Sequence, residues 1–349
     1  MIIGEPAHSQ LDVACPAKKA AMQAYFDRYK RQSGTPCSTS WPPDRRPHCA
    51  PVADDLADVP TFQVHPHAFW GQRGMAGMIM NLHAKLPQLR TFCDVGANYG
   101  HFTHEFLARW GGGGAGASRR RGLAIEPLPH NARVLRRRFK SDRRITVVQA
   151  AASHADAEPR QLFGTPFGSE RGELLSSPSA RFNISEFRRR AKGHWHVVNV
   201  TTLNSLVRAH GFDILDLLKI DTEGFELPVL RGATKVLKST KVVLWECGHF
   251  RQGSTMAGAV SLLHELGFDS FLLSNRLPVF ISGAYWASNY DTRGWRNCAS
   301  FNRKYVSARM LRAILDDYPN FAAPINRTIY PDAYKNDPEH RLFNPFNDC

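Results

Sequence analysis

None of the seven cysteines, Cys15, Cys37, Cys49, Cys93, Cys247, Cys298 and Cys349, forms a C-x-x-C pair. That argues against a zinc ribbon or a thioredoxin-like centre. No Walker A loop occurs, and no apolar run approaches the length of a bilayer-spanning helix. The first ten residues, MIIGEPAHSQ, have neither a basic nor an apolar stretch, so no secretory leader is read and a cytoplasmic location is the expectation. Acid is scarce beside base: 31 Asp and Glu stand against 45 Lys and Arg, for a net charge of +14. This balance suits nucleic acid, anionic glycans, phosphorylated metabolites or a membrane surface, or else is a solvated basic exterior with no partner. Cys93 and Cys247 fall inside apolar runs and are expected as plain core residues. The cysteines in the polar flanks have the freedom to pair, although an odd total leaves one over. The glycosylation patterns at Asn183, Asn199 and Asn326 are no more than chance provides.

What is present is enough for a core. The 349 residues, 43% hydrophobic and 22% charged, suit one large α/β domain with extensions. Residues 1–68 are rich in proline, serine and charge and read as an irregular extension. Residues 69–305 then alternate strand-like and helix-like runs. Strands are expected at 91–95, 122–125, 145–148, 214–220, 241–245, 268–273 and 279–285. Helices are expected at 75–86, 101–110, 131–140, 202–210 and 260–266. This rhythm implies a mostly parallel sheet with helices on both faces. Residues 156–195, polar and carrying Gly164, Gly168, Gly172 and Arg188 to Arg190, interrupt it as either a lid or a disordered insertion. Residues 306–349 read as a C-terminal tail.

Ligands of such sheets gather beyond the carboxyl ends of the strands, and acids stand there in this chain. Asp94 opens the loop Asp94-Val-Gly-Ala-Asn-Tyr-Gly100. Gly96 and Gly100 permit tight turning, and the helix that follows offers N–H groups to an anion. A dinucleotide fingerprint needs glycine at 96, 98 and 101. Asn98 and His101 break it, which disfavours a nicotinamide cofactor. Glu126 ends the second strand, where a carboxylate can accept from both hydroxyls of a ribose. Lys219-Ile-Asp-Thr-Glu-Gly-Phe-Glu226 delivers Asp221 and Glu223 together. Such a pair suits general-base work, hydroxyl positioning or a cation, or else only caps a helix. Glu246 and His249, at the end of the next strand, are candidates for the acceptor pocket. No metal-ligand set is assigned.

Together these residues resemble the FkbM-type methyltransferase family. The matching pieces are Asp94 to Gly100, Ile125-Glu126-Pro127, Ala151-Ala152-Ser153, and Leu218 to Gly224 with Glu226 and Leu230 to Ala233. The resemblance implies a Rossmann-like class I fold with a central seven-stranded sheet, S-adenosylmethionine as cofactor, and O-methylation of a sugar, glycan or small-metabolite hydroxyl. By the same likeness Asp94, Gly96, Asn98 and Gly100 hold the methionine end of the cofactor, Glu126 the ribose, and Ala151 borders the adenine. Asp221 and Glu223 face the acceptor by that likeness, and with Glu246, placed by its strand-end position, they are the catalytic candidates. The arginine clusters keep open a nucleic-acid 2′-O-methyltransferase, and a catalytically silent binding protein on the same fold is the remaining alternative.

Overall fold

Short apolar runs in this chain are buried on both sides, and that makes them strands. The computed structural model describes residues 73–110, 120–164, 172–174, 195–248, 254–273, 278–286, 290 and 296–322. In order these form α1 (Arg73–Lys85), β1 (Thr91–Val95), α2 (His101–Trp110), β2 (Arg121–Ile125), α3 (Pro129–Arg138), β3 (Ile145–Val148), β4 (Ala151–Ser153), β5 (Ala157–Gly164) and β6 (Gly172–Leu174). Then follow β7 (Trp195–Thr202), α4 (Leu203–Ala209), β8 (Leu217–Ile220), α5 (Glu226–Arg231), α6 (Thr234–Leu237), β9 (Val242–Glu246), α7 (Met256–Glu265), β10 (Phe268–Leu273), β11 (Val279–Phe280), β12 (Asn297–Asn302) and α8 (Ala308–Ala322).

The main sheet runs β11-β10-β12-β9-β8-β1-β2-β3. Strands β9, β8, β1, β2 and β3 are parallel. Strand β12 runs antiparallel between β9 and β10, and β11 pairs antiparallel with β10. Alternation along each strand divides the core into two layers. Phe92, Leu217, Val242 and Leu244 share one apolar layer with α1, α2 and α8, whereas Cys93, Leu218 and Val243 share the other with α4, α5, α6 and α7.

Two expectations need correction. The sheet has eight strands where seven were expected, because Asn297–Asn302 enters it as β12. Its sequence NCASFN lacks a β-branched run, yet every residue is buried. Its polar side chains are satisfied: Trp245 Nε1 donates to Ser300 Oγ at 3.0 Å, and Asn302 Nδ2 donates to the Thr240 carbonyl at 3.0 Å. Second, Cys247 is no plain core thiol, since it is bonded to Cys298 and ties the end of β9 to β12. Parts of 156–195, expected as a lid or a disordered insertion, form strands. They supply β5, β6 and the start of β7 to a small sheet ordered β4-β7-β5-β6. Residues 165–171 and 175–194, with Arg188 to Arg190, lie outside the described residues, as do 1–72 and 323–349. Within the expected tail, α8 packs on α1, burying Leu311, Ile314, Leu315 and Tyr318. No helix among the described residues is long and apolar enough to cross a membrane.

Candidate functional site

Strands β1, β2, β8 and β9 end side by side, and the acids seen in the sequence stand at those ends. Asp94 is fully buried. Its Oδ2 accepts from Thr103 Oγ1 at 2.7 Å, and its Oδ1 lies 3.2 Å from Lys219 Nζ. The structure thus places Asp94 under the loop, bracing it against α2 and β8. Gly96 follows with φ +73°, and a Cβ there would lie 1.8 Å from the carbonyl oxygen of Asp221. The close approach that demands glycine is therefore between two stretches of this chain, the loop after β1 and the turn after β8. At Gly100 the space of a side chain is filled by Leu135 and Phe139, on and just after α3.

The N–H groups of the loop itself, ahead of α2, are engaged within the chain. Gly96 and Ala97 both donate to the Ile125 carbonyl, and Gly100 donates to that of Ala97. Asn98, held at φ +48°, donates its N–H to Glu126 Oε2 at 2.8 Å. Left-handed backbone is tolerated by asparagine better than by most residues. Asn131 of α3 steadies it, donating from Nδ2 to Asn98 Oδ1 at 3.1 Å. Glu126 Oε1 accepts from the Leu128 N–H at 2.9 Å. Burial raises the Glu126 carboxyl to about 7, against the opposing pull of the two backbone donors. Ala151 lies nearby in a small apolar cluster with Leu128, Val198 and Val200. An acid beside an apolar wall is the surrounding that a ribose and its base require.

The turn after β8 is the most constrained part of the site. Glu223 adopts φ +57° and Gly224 φ +102°. Glu226, at the start of α5, accepts through Oε1 from the N–H of Thr222 at 2.9 Å, its Oγ1 at 3.0 Å and the N–H of Gly224 at 3.1 Å. Carboxylate oxygens of Asp221, Glu223 and Glu246 all lie within 4.8 Å of one another. Burial, with the charges of Asp221, Glu226 and Glu223 adding to it, drives the Glu246 carboxyl far above the usual carboxylate range. The protonated form is thereby favoured at Glu246. The cluster has the chemistry to share a proton or to hold a hard cation.

Lys219 was legible only as part of a motif. It is the one cation at this junction among the described residues that touches both halves. Its ammonium donates to the Gly96 carbonyl at 3.0 Å, and lies 3.2 Å from Asp94 and 3.4 Å from Asp221. Burial opposes its charge, but Asp221 and Asp94 outweigh that and raise its pKa above the ordinary lysine value. The signal was a lysine inside the apolar run Leu215–Ile220. Asn131 and Glu226 were likewise given no role by sequence reasoning. His249 lies outside the described residues.

The sequence model described as the methyltransferase FkbM domain matches residues 94–270, just over half of the 349. No curated protein matches the chain. Among solved structures, a precorrin-6y C5,15-methyltransferase from Geobacter metallireducens is 14% identical, with 66% of this chain and 86% of that one covered and a TM-score of 0.33. An O-methyltransferase from Bacillus cereus in complex with SAH is 10% identical, with 83% and 92% covered and a TM-score of 0.32.

Proposed function

The chain belongs to the FkbM methyltransferase domain family, whose members depend on S-adenosylmethionine, and from that premise we propose that it transfers the methyl group to a hydroxyl of a sugar, glycan or small metabolite. The observation that carries the reading is the convergence of Asp221, Glu223 and Glu246 within 4.8 Å, on a turn whose Asp221 carbonyl abuts Gly96 of the cofactor loop.

The residues present fit the cofactor on their chemistry. Glu126 has oxygen lone pairs for ribose hydroxyls beyond the two backbone donors it already receives, and Leu128 with Ala151 offers an apolar flank for adenine. The cofactor supplies an electrophilic methyl on a sulfonium, so the protein's task is alignment and proton handling. An alcohol becomes an adequate nucleophile only when its proton is shared or removed. Asp221 and Glu223 serve as the base or as the group that positions the hydroxyl. Glu246, in its protonated form, serves as a hydrogen-bond donor that orients its neighbours or the acceptor. Lys219 neutralises the meeting of Asp94 and Asp221 and leaves the charge at the acceptor side to the outer carboxylates.

The test is Asp221→Asn. General acid–base assistance is worth about 10²–10⁴ in rate, so turnover should fall by about that factor while calorimetry records cofactor affinity within about threefold. A variant as active as the parent overturns the assignment. The acceptor class is read by incubating labelled S-adenosylmethionine with glycans, small metabolites and RNA, followed by mass spectrometry. One observation favours a second outcome in that panel. Arg133, Arg136, Arg137, Lys140 and Arg143 are exposed along α3 and the loop after it, and the only acid in that stretch, Asp142, is held by Arg144. Such a face suits a phosphate backbone, and label appearing in RNA ribose would move the reading to a nucleic-acid 2′-O-methyltransferase.

A further inference from the structure

We infer that Glu226 is a positioning residue for methyl transfer, whose carboxyl clasps the Asp221–Gly224 turn and so fixes where the Glu223 carboxylate points. The inference rests on the O-methyl reading above for its catalytic part. Its structural part stands on the turn itself. Glu226 is buried, with 1% of its surface exposed. A single oxygen, Oε1, receives three donors: the Thr222 N–H, the Thr222 hydroxyl and the Gly224 N–H. These donors bracket Glu223 on both sides. Between them the backbone passes through two consecutive left-handed residues, Glu223 at φ +57° and Gly224 at φ +102°. Left-handed backbone is unfavourable for a side chain such as glutamate and persists only where the surroundings over-determine it. The clasp is that determinant. Remove the acceptor and the N–H groups of Thr222 and Gly224 lose their partner, and a relaxed turn swings the Glu223 carboxylate away from Asp221 and Glu246.

The clasp needs an acceptor oxygen and needs no charge. Burial raises the Glu226 carboxyl to about 7, which agrees with a group whose work is hydrogen bonding. Glutamine keeps that oxygen at the same reach. Leucine removes it at similar volume, and aspartate keeps a carboxyl one methylene short of the turn.

The experiment compares Glu226→Gln, Glu226→Leu and Glu226→Asp in the full chain, measuring kcat, the Kd for S-adenosylmethionine, and amide hydrogen exchange at Thr222 and Gly224. Losing these bonds should lower kcat by about 10- to 100-fold in the leucine variant, the factor that about 1.4 to 2.8 kcal/mol represents. Cofactor Kd should stay within about threefold, and exchange at both amides should accelerate. Glutamine should restore all three readouts to within about threefold of the parent. Aspartate should give slow turnover with a cooperative melt lowered by only about a few degrees, which keeps the test open if leucine fails to fold. The inference is overturned if leucine and aspartate turn over like the parent, if cofactor affinity falls in step with kcat, or if glutamine is as slow as leucine. If the parent transfers no methyl to any hydroxyl, the O-methyl reading fails by itself. The exchange comparison still decides the clasp, and equal rates in parent and leucine variant reject it.

Discussion

Glu126 illustrates how much one buried carboxyl can organise. It receives the N–H of Asn98 from the loop after β1 and that of Leu128 from the start of α3, so it joins the two segments that would flank a cofactor. Hydrogen bonds to a charged group are worth about 1.5–3 kcal/mol, and Glu126→Ala should weaken cofactor binding by about ten- to a hundred-fold. Calorimetry that finds unchanged affinity would remove the ribose assignment. At this scale the sequence was legible where a residue type had one good use. Asp221, Glu223 and Glu246 were named from their strand-end positions, and the fold brings them together. Asp94 and Gly96 were legible as residues of a loop but not in their partners. The sequence suggested a ligand for both, and the fold adds partners within the chain: Asp94 meets Thr103 and Lys219, and Gly96 meets the Asp221 carbonyl. Lys219 and Asp221 lie more than a hundred residues further along the chain, and contacts at that separation have no local signature.

Elements were read well where apolar runs were continuous, because strands buried on both faces look that way in sequence. Strands β1, β2, β3, β8, β9 and β10 all fall where expected, within a few residues. Strand β12 was missed because half its side chains are polar, and Ser300 and Asn302 find partners at Trp245 and Thr240, more than fifty residues away. Helix α8 was missed because prolines and asparagines nearby suggested a tail, while its buried stripe exists only against α1. The Cys247–Cys298 bond has a consequence at this scale. It joins residues 51 apart in sequence, and cross-links of that kind stabilise by about 2–4 kcal/mol. Cys298→Ser should therefore lower the midpoint of denaturant unfolding, and the same shift should follow from reducing agent added to the parent. A parent insensitive to reductant, with two free thiols at these positions by mass spectrometry, would refute the cross-link.

At the scale of the molecule, the site is a junction of buried carboxyls, and this should show in its pH dependence. Glu126 and Glu226 are each raised from 4.5 to about 7, with burial as the leading cause. Between those values the folded protein holds protons that the unfolded chain has released, so stability falls as pH rises through that window. Glu126→Gln removes one such group. The melting temperature of the variant relative to the parent should therefore climb from pH 4.5 to about 7 and level off above it, and parallel curves would exclude the effect.

The sequence by itself determined the alternation of strand and helix, the loop spacing that rejects a dinucleotide, and the three acids at strand ends. These follow from periodicity, from glycine's permissive backbone and from the chemistry of side chains, all of which are local. The tertiary structure decided the eighth strand, the disulfide, the ammonium of Lys219 between Asp94 and Asp221, and the clasp of Glu226. Burial and partnership across the fold made each of those, and both exist only once distant segments have met.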